Sequence, residues 1–140
     1  MTIQVHWRYL KKPNGDDGWR QIRCLYAYLA PQTREILYIG KAWGATVRER
    51  WSRTGKYAFW NDLEKQRGIR AHYALLGEID LPPTERLTHE LLADIEGLLI
   101  QQVQPWGNIQ RRSSRIPRPG MAISCQGRWP SRRNRYLDRG

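Results

Sequence analysis

The sequence predicts an α/β fold of the α+β type, with a small, mainly antiparallel three-stranded sheet flanked by helices. Residues 23–30 and 36–40 are β-prone runs joined by about five polar residues, which is typical of an antiparallel hairpin. Residues 71–79 form the third β-prone run. A long helix is then predicted from Thr84, a candidate N-cap, to Val103, because apolar residues recur there at helical spacing.

Two shorter helices complete the predicted domain, and both ends of the chain are interpreted as extensions. The helices cover residues 46–51 and 56–67. Residues 1–22 form an N-terminal extension, residues 23–110 the domain, and residues 111–140 a basic C-terminal extension. That last segment holds nine arginines and one acid, a surplus of eight positive charges.

The charge of the chain indicates a polyanionic partner. Its 140 residues carry a formal net charge of +11, which is typical of nucleic-acid-binding proteins, with an acidic membrane surface as the weaker alternative. No apolar run approaches the ~20 residues of a membrane span, and the first residues lack the apolar core of a signal peptide. Cys24 and Cys125 are too few for a disulfide framework, so we expect reduced thiols and a cytoplasmic location.

The stretch from Ile36 to Arg50 indicates chemistry at a phosphate. A β-prone run ends at Gly40, and a basic segment of helical character follows. Because glycine has no Cβ, the backbone there can turn sharply and approach a partner closely. A tyrosine on the strand and an arginine on the next helix can then face one point, and these two groups suit phosphodiester chemistry.

Glu96 is the acid that stands out in the long helix. Its neighbours at three, four and seven residues are apolar: Leu92, Leu99, Ile100 and Val103. These residues share its helix face, and a carboxylate on an apolar face is costly unless it is paired or binds a metal. The helix pattern alone also allows a surface glutamate paired with Arg86 or Arg111.

Several short segments, taken in order, match one known pattern. They are Cys24-Leu25-Tyr26, Tyr38-Ile39-Gly40-Lys41-Ala42, Arg48, Glu96-Gly97-Leu98-Leu99-Ile100 and Pro105-Trp106-Gly107-Asn108. Their order and spacing resemble the GIY-YIG nuclease family, above all the amino-terminal domain of bacterial excision-repair endonucleases. The likeness covers about residues 23–109. It implies a GIY-YIG-like fold and metal-dependent cleavage of DNA.

The resemblance also implies a role for each matching residue. Arg48, eight residues after the glycine, is implied as the catalytic arginine that stabilises charge on the phosphoryl oxygens. Glu96 is implied as the ligand of one Mg²⁺ or Mn²⁺ ion that keeps several waters. Tyr26 or Tyr38 would deprotonate or orient the attacking water, with nearby cations lowering the tyrosine pKa. Asn108 would anchor the loop that carries the site.

The chain departs from the family pattern in three places. Cys24 stands where the family has glycine, and Ser52 stands where it often has histidine or tyrosine. A segment rich in Trp and Lys also covers residues 51–67. The change at Ser52 leaves the proton-transfer network open. Three residues are candidates to complete it: Lys56, Tyr57 and His72.

Basic residues around the motifs and in the C-terminal extension are predicted to contact nucleic acid. They are Lys41, Arg50, Arg53, Lys56, Arg111, Arg112, Arg115, Arg118, Arg128, Arg132, Arg133 and Arg135. Arginines interleaved with Trp129 and Tyr136 suit phosphate contacts combined with base stacking. The alternatives are a solvated tail and a structural wrap, with Ile116, Met121, Ile123 and Trp129 packed on the domain.

The sequence therefore predicts a metal-dependent endonuclease acting on DNA, and two other functions compete with it. The first is a non-catalytic nucleic-acid-binding protein on the same fold. The joint presence of the tyrosines, the arginine, Glu96 and Asn108 argues against it, because a binding protein needs no acid facing the phosphates. The second is an RNA-directed nuclease, since nothing in the sequence excludes RNA.

Overall fold

The computed structural model describes residues 1–11, 15–52, 54–108 and 115–140. Within these residues the chain is an α+β fold with one six-stranded sheet. The strands are β1 (Thr2–Tyr9), β2 (Arg23–Leu29), β3 (Ile36–Trp43), β4 (Tyr73–Asp80), β5 (Ala122–Gly127) and β6 (Arg135–Leu137). The α-helices are α1 (Val47–Ser52), α2 (Thr54–Arg67) and α3 (His89–Val103), and short 3-10 turns cover Asp17–Arg20 and Trp106–Asn108.

The sheet is mixed and has the strand order β3-β2-β4-β1-β5-β6. β1 and β5 run parallel, and the other neighbouring pairs are antiparallel. The prediction of a small three-stranded sheet is therefore wrong. The three predicted strands are present as the neighbours β2, β3 and β4, but β1, β5 and β6 extend the same sheet from segments predicted to be extensions.

β1 lies inside the sheet because its side chains alternate between apolar and polar. Ile3, Val5 and Trp7 are buried, whereas Thr2 and His6 are exposed. This period-2 pattern is the signature of a strand. Neighbours on both sides, β4 and β5, satisfy its backbone hydrogen-bonding groups. The charges and turn residues that surround it in residues 1–22 obscure the pattern in the sequence.

The arginine-rich C-terminal segment joins the core, which favours the structural-wrap alternative. Its buried apolar side chains include Met121, Ile123, Cys125, Trp129 and Tyr136, although Ile116 is exposed. Arg115 Nη1 lies 2.6 Å from Asp138 Oδ2, and Arg118 Nε lies 2.7 Å from Asp94 Oδ2. The hydrogen-bonded guanidinium of Arg115 lowers the pKa of Asp138 to about 2. The pair with Asp94 fixes the segment against α3, and the pair with Asp138 joins the two ends of the segment.

Trp129 is expected to be essential for this packing. Its ring centroid lies 5.0 Å from that of Trp7, and its Nε1 donates to the Arg133 carbonyl and the Tyr136 hydroxyl. Trp129→Ala should destabilise the fold by about 3–5 kcal/mol and lower the melting temperature by roughly 10 °C or more in a circular-dichroism melt. Leu137→Ala, at an exposed position of β6, should lower it by less than about 3 °C. Equal shifts in both variants would contradict this packing role.

α3 covers one face of the sheet, and α2 packs on the other. α3 begins after Thr88, whose hydroxyl accepts a hydrogen bond from the Leu91 N–H at 3.1 Å, so the N-cap is Thr88 and not Thr84. On the opposite face, Leu63 of α2 is buried with tyrosines of β2. Because β3 is an edge strand, side chains from both faces meet beside it. Across the described ranges, no helix is both long and apolar enough to cross a membrane.

Candidate active site

The predicted catalytic residues other than Arg48 meet beside the edge strand β3. The antiparallel register of β2 and β3 pairs Tyr26 with Gly40 and Tyr28 with Tyr38. The side chains that meet there are Tyr26 and Tyr28 from β2, Tyr38 and Lys41 from β3, Arg50 from α1, Lys56 from α2 and Glu96 from α3. The local hairpin thus places the tyrosines, and the helices on the two faces add the charged groups.

Asn108 fixes the turn that follows α3 onto β3. Its buried side chain accepts a hydrogen bond from the Ile39 N–H at 2.8 Å and donates one to the Ile39 carbonyl at 3.0 Å. The N–H and the carbonyl of Ile39 are therefore both hydrogen-bonded at the edge of the sheet, where a further strand would otherwise pair with them. The two bonds thus tie the Trp106–Asn108 turn to β3.

Gly40 allows the Tyr26 ring to lie directly against the backbone of β3. A Cβ added at this position would overlap the end of the phenol ring, at 2.5 Å from the hydroxyl oxygen. Real Cβ atoms do not approach other atoms so closely, and Tyr26 is 2% exposed, with little room to move. The close approach explains why the strand needs glycine opposite this tyrosine.

Gly40→Ala is expected to displace Tyr26 and to destabilise the protein by about 1–3 kcal/mol through overpacking. The measurement is a double-mutant cycle of melting curves with Tyr26→Ala. Because the added methyl group clashes with the ring, Tyr26→Ala should cost clearly less stability in the Gly40→Ala background than in the wild type. Additive losses would show that the two residues do not conflict in this way.

Tyr26, Tyr28 and Tyr38 form a stacked group, here called the tyrosine cluster. Their ring centroids lie 5.5 Å (Tyr26–Tyr28), 5.7 Å (Tyr28–Tyr38) and 6.1 Å (Tyr26–Tyr38) apart. Lys56 Nζ lies 3.7 Å from the centroid of the Tyr38 ring, a cation–π contact. Tyr28 is absent from the predicted site, although its spacing of two residues from Tyr26 places both rings on one face of β2.

Burial keeps the phenols of Tyr26 and Tyr28 protonated. Loss of solvation raises the pKa of each group above its ordinary value, Tyr38 adds to this effect, and the charge of Arg50 opposes it. A protonated phenol can orient a water molecule through a hydrogen bond but cannot accept its proton as a base. For Tyr26, this protonation state favours orientation of the water over its deprotonation, the two roles that the resemblance implies for Tyr26 or Tyr38.

Glu96 is a buried carboxylate surrounded by cations. Its residue is 8% exposed, and Oε1 lies 3.8 Å from Lys41 Nζ, beyond direct hydrogen-bonding distance. Burial raises the pKa of Glu96, while the charges of Lys41, Arg50 and Lys56 act in the opposite direction. The alternative of a solvated surface glutamate does not describe this position. The carboxylate keeps oxygen lone pairs for a further cation.

The arginine that faces the site is Arg50, whereas Arg48 is exposed. Val47 is buried at the start of α1, and a residue three positions later shares its inward side. Arg50 Nε donates to the Lys41 carbonyl at 3.3 Å, and its charge acts on Glu96 and on the tyrosine cluster. The geometry thus favours Arg50 over Arg48 for contact with phosphate. The inward position of Val47 indicates which arginine of α1 faces the site, whereas the spacing from Gly40 does not.

Lys56 is the proton-transfer candidate that lies in the site. The hydroxyl of Ser52 donates to the carbonyl of Arg48 at 2.9 Å, within the helix. Tyr57 is 76% exposed on α2. His72 borders the tyrosine cluster, but its Nε2 accepts a hydrogen bond from Trp51 at 3.0 Å, and burial lowers the pKa of His72 to about 4. A neutral imidazole with this nitrogen engaged is a poor acid for the leaving group.

The basic residues predicted to contact nucleic acid differ in where the structure places them. Lys41, Arg50 and Lys56 lie in the site. Three of the others lie outside the described residues: Arg53, Arg111 and Arg112. Arg115 and Arg118 form ion pairs with Asp138 and Asp94, so their charges contribute to the stability of the fold. Four remain exposed on the C-terminal segment: Arg128, Arg132, Arg133 and Arg135.

The site offers one carboxylate to a metal ion. In the part of the chain that the structure describes, no three His, Cys, Asp or Glu side chains are grouped so that they could hold an ion. Mg²⁺ nevertheless fits a single carboxylate, because it keeps most of its waters and gains further oxygens from substrate phosphate. The buried carboxylate of Glu96 suits this ion, since a divalent charge offsets the cost of burying the ionised form.

Comparisons with known proteins add no family assignment. A scan against models of protein families found no match, and searches of curated proteins and of solved structures found none.

Proposed function

We propose that the protein is a metal-dependent endonuclease that hydrolyses DNA phosphodiester bonds at the site beside β3, as GIY-YIG nucleases do. The observation that carries the proposal is the burial of Glu96 among Lys41, Arg50 and Lys56, next to the tyrosine cluster. Cleavage of a phosphodiester requires positive charge around the phosphate together with an acid that can hold a metal ion. A protein that only binds DNA gains nothing from such an acid.

The cations of the site suit the charge of the scissile phosphate. The planar guanidinium of Arg50 can donate two hydrogen bonds to phosphoryl oxygens, while the ammonium groups of Lys41 and Lys56 act as point charges. All three are fixed before substrate binds, through contacts with β3, Glu96 and the tyrosine cluster. Preorganised charge of this kind is most effective where negative charge increases in the transition state.

The remaining groups position the attacking water. Glu96 would hold a divalent ion, which when bound would supply positive charge at the phosphate and lower the pKa of a bound water. The hydroxyl of Tyr26, fixed against Gly40, orients the water by a hydrogen bond. The ammonium of Lys56 lies 3.7 Å from the centroid of the Tyr38 ring, and in this proposal it donates a proton to the departing oxygen.

We also propose a cytoplasmic location. Cys24 and Cys125 are both free and buried. Burial raises the pKa of each thiol to about 12, so neither is a reactive thiolate at neutral pH. Unpaired cysteines in a chain of this size are usual in a reducing compartment.

The proposal is tested by incubating the purified protein with supercoiled plasmid and Mg²⁺. Nicked and linear products should appear on an agarose gel, and EDTA should abolish them. A labelled DNA oligonucleotide and an RNA of the same sequence are the matched pair of substrates. Cleavage of the RNA alone would overturn the choice of DNA as substrate. A gel shift without cleavage of either oligonucleotide would identify a non-catalytic binding protein.

A further inference from the structure

A pocket with aromatic walls lies beside the tyrosine cluster, on the side of α2 that carries Tyr57. Its volume is about 300 Å³, at the lower end of the range for small-ligand sites. Its lining includes Trp51, Tyr57, Trp60, Asn61 and His72. We propose that this pocket binds an unpaired nucleobase of the cleaved strand, so that the preferred substrate is DNA with a single-stranded or extrahelical base near the scissile phosphate. The inference rests on the proposed nuclease function.

One wall of the pocket is a rigid, neutral aromatic surface. The rings of Trp60 and His72 stack with centroids 4.0 Å apart at an angle of 12°. Trp51 Nε1 donates to His72 Nε2 at 3.0 Å, which fixes the imidazole plane. Fixed flat rings are the surfaces on which nucleobases stack in single-strand-binding proteins, since every base has a π face.

Tyr57 and Asn61 of α2 add a solvent-exposed ring and a polar amide to the lining of the pocket. Tyr57 is 76% exposed, although it lies directly after Lys56 of the site. Tyr57, Asn61 and Glu64 are spaced at i, i+4 and i+7 on α2, so they share the helix face that lines the pocket. The Asn61 amide offers both a donor and an acceptor to the edge of a base. A large exposed ring beside an amide suits a base better than a purely apolar ligand.

The aromatic rings that line the pocket contact the tyrosine cluster of the site through Tyr28, which is fully buried. The Tyr28 ring lies 4.8 Å from Trp60 and 5.2 Å from His72, and it also lies 5.7 Å from the Tyr38 ring of the tyrosine cluster. Tyr57, which lines the pocket, directly follows Lys56 on α2, so a strand whose phosphate contacts Lys56 would bring an adjacent nucleotide to the pocket. In an intact duplex the faces of that base are stacked on its neighbours, so it can enter only when unpaired or flipped out.

The test uses the full chain with the substitution Glu96→Gln, so that DNA is bound but not cut. It is titrated with a duplex that carries one unpaired 2-aminopurine, and with the same duplex in which this base is paired. Anisotropy should show tighter binding of the unpaired form, and 2-aminopurine fluorescence should fall on binding as the base stacks. Adding Tyr57→Ala should weaken binding of the unpaired form by roughly 5- to 150-fold and remove most of the quenching.

Tyr73→Ala in the same background is the matched control. Tyr73 is also an exposed tyrosine, but it stacks edge-on against Tyr9, so its loss should leave the preference intact. Equal affinity for the two duplexes, or a preference that survives Tyr57→Ala, would overturn the pocket assignment. If the wild type then still cuts plasmid, only this inference fails. A Tyr57-dependent preference without any cleavage by the wild type would uphold the pocket and reject the nuclease function.

Discussion

Replacing Glu96 with glutamine is expected to lower the single-turnover rate of DNA cleavage at least ~100-fold, because it removes the carboxylate that is proposed to hold the metal ion. The shape of the side chain is kept, and repulsion between the carboxylate and phosphate is removed. DNA affinity, measured by fluorescence anisotropy in EDTA, should therefore stay equal or increase slightly. A variant that retains more than about a tenth of the wild-type rate would remove Glu96 from the metal-binding role.

The same substitution should leave the fold intact, which separates loss of chemistry from loss of structure. Burial raises the pKa of Glu96, so the ionised form that predominates well above this pKa is disfavoured in the folded protein. Without metal at neutral pH, Glu96→Gln should melt at the wild-type temperature or higher. The difference should vanish as the pH falls below the ordinary glutamate pKa of ~4.3, where the carboxyl is protonated in both states.

Arg50→Ala is expected to cost roughly 100-fold or more in the cleavage rate, with a smaller loss of DNA affinity, because its charge matters most as negative charge builds at the phosphate. Arg48→Ala is the matched control on the same helix. Its side chain is exposed, whereas Arg50 is partly buried against the Lys41 carbonyl. Arg48→Ala should change the rate less than about 5-fold, in keeping with a lost surface charge.

The two arginine variants decide between the structural and the spacing-based assignment. Both should be measured at saturating DNA, so that a binding defect does not appear as a rate defect. If Arg48→Ala lowers the rate more than Arg50→Ala does, the catalytic arginine is Arg48, as the spacing from Gly40 predicts. The assignment of Arg50 from the orientation of α1 would then be wrong.

Local patterns in the sequence were enough to locate the hairpin and α3. β2 and β3 pair across a short turn, so their register follows from neighbouring residues. α3 carries a continuous apolar stripe, and only its start differs, because Thr88 caps the helix where Thr84 was predicted. The pairing of Tyr26 with Gly40 also follows from this hairpin, and it positions the centre of the site.

Long-range pairing accounts for the strands that local sequence patterns do not predict. β1 lies between β4 and β5, with Val5 opposite both Ile79 and Cys125. Nothing in the local sequence specifies partners so distant along the chain. The arginines of the last segment further suggested a tail, whereas buried acids such as Asp138 neutralise part of their charge inside the structure.

The direction in which side chains point accounts for what was missed in the site. Arg48 and Arg50 are two residues apart on a helix, and only burial of Val47 indicates which of them faces inward. Tyr28 was overlooked because it falls outside the short motif, yet it joins Tyr26 and Tyr38 in the tyrosine cluster. Motifs thus locate the elements of the site, while packing selects the side chains that meet.

The most direct test of the proposed function is the initial rate of plasmid nicking as a function of Mg²⁺ concentration, for the wild type and Glu96→Gln side by side. A nuclease that holds its metal through Glu96 should show a wild-type rate that rises from background and saturates, while the variant stays near background throughout. A wild type without Mg²⁺-dependent nicking, or a variant whose curve follows that of the wild type, would contradict it.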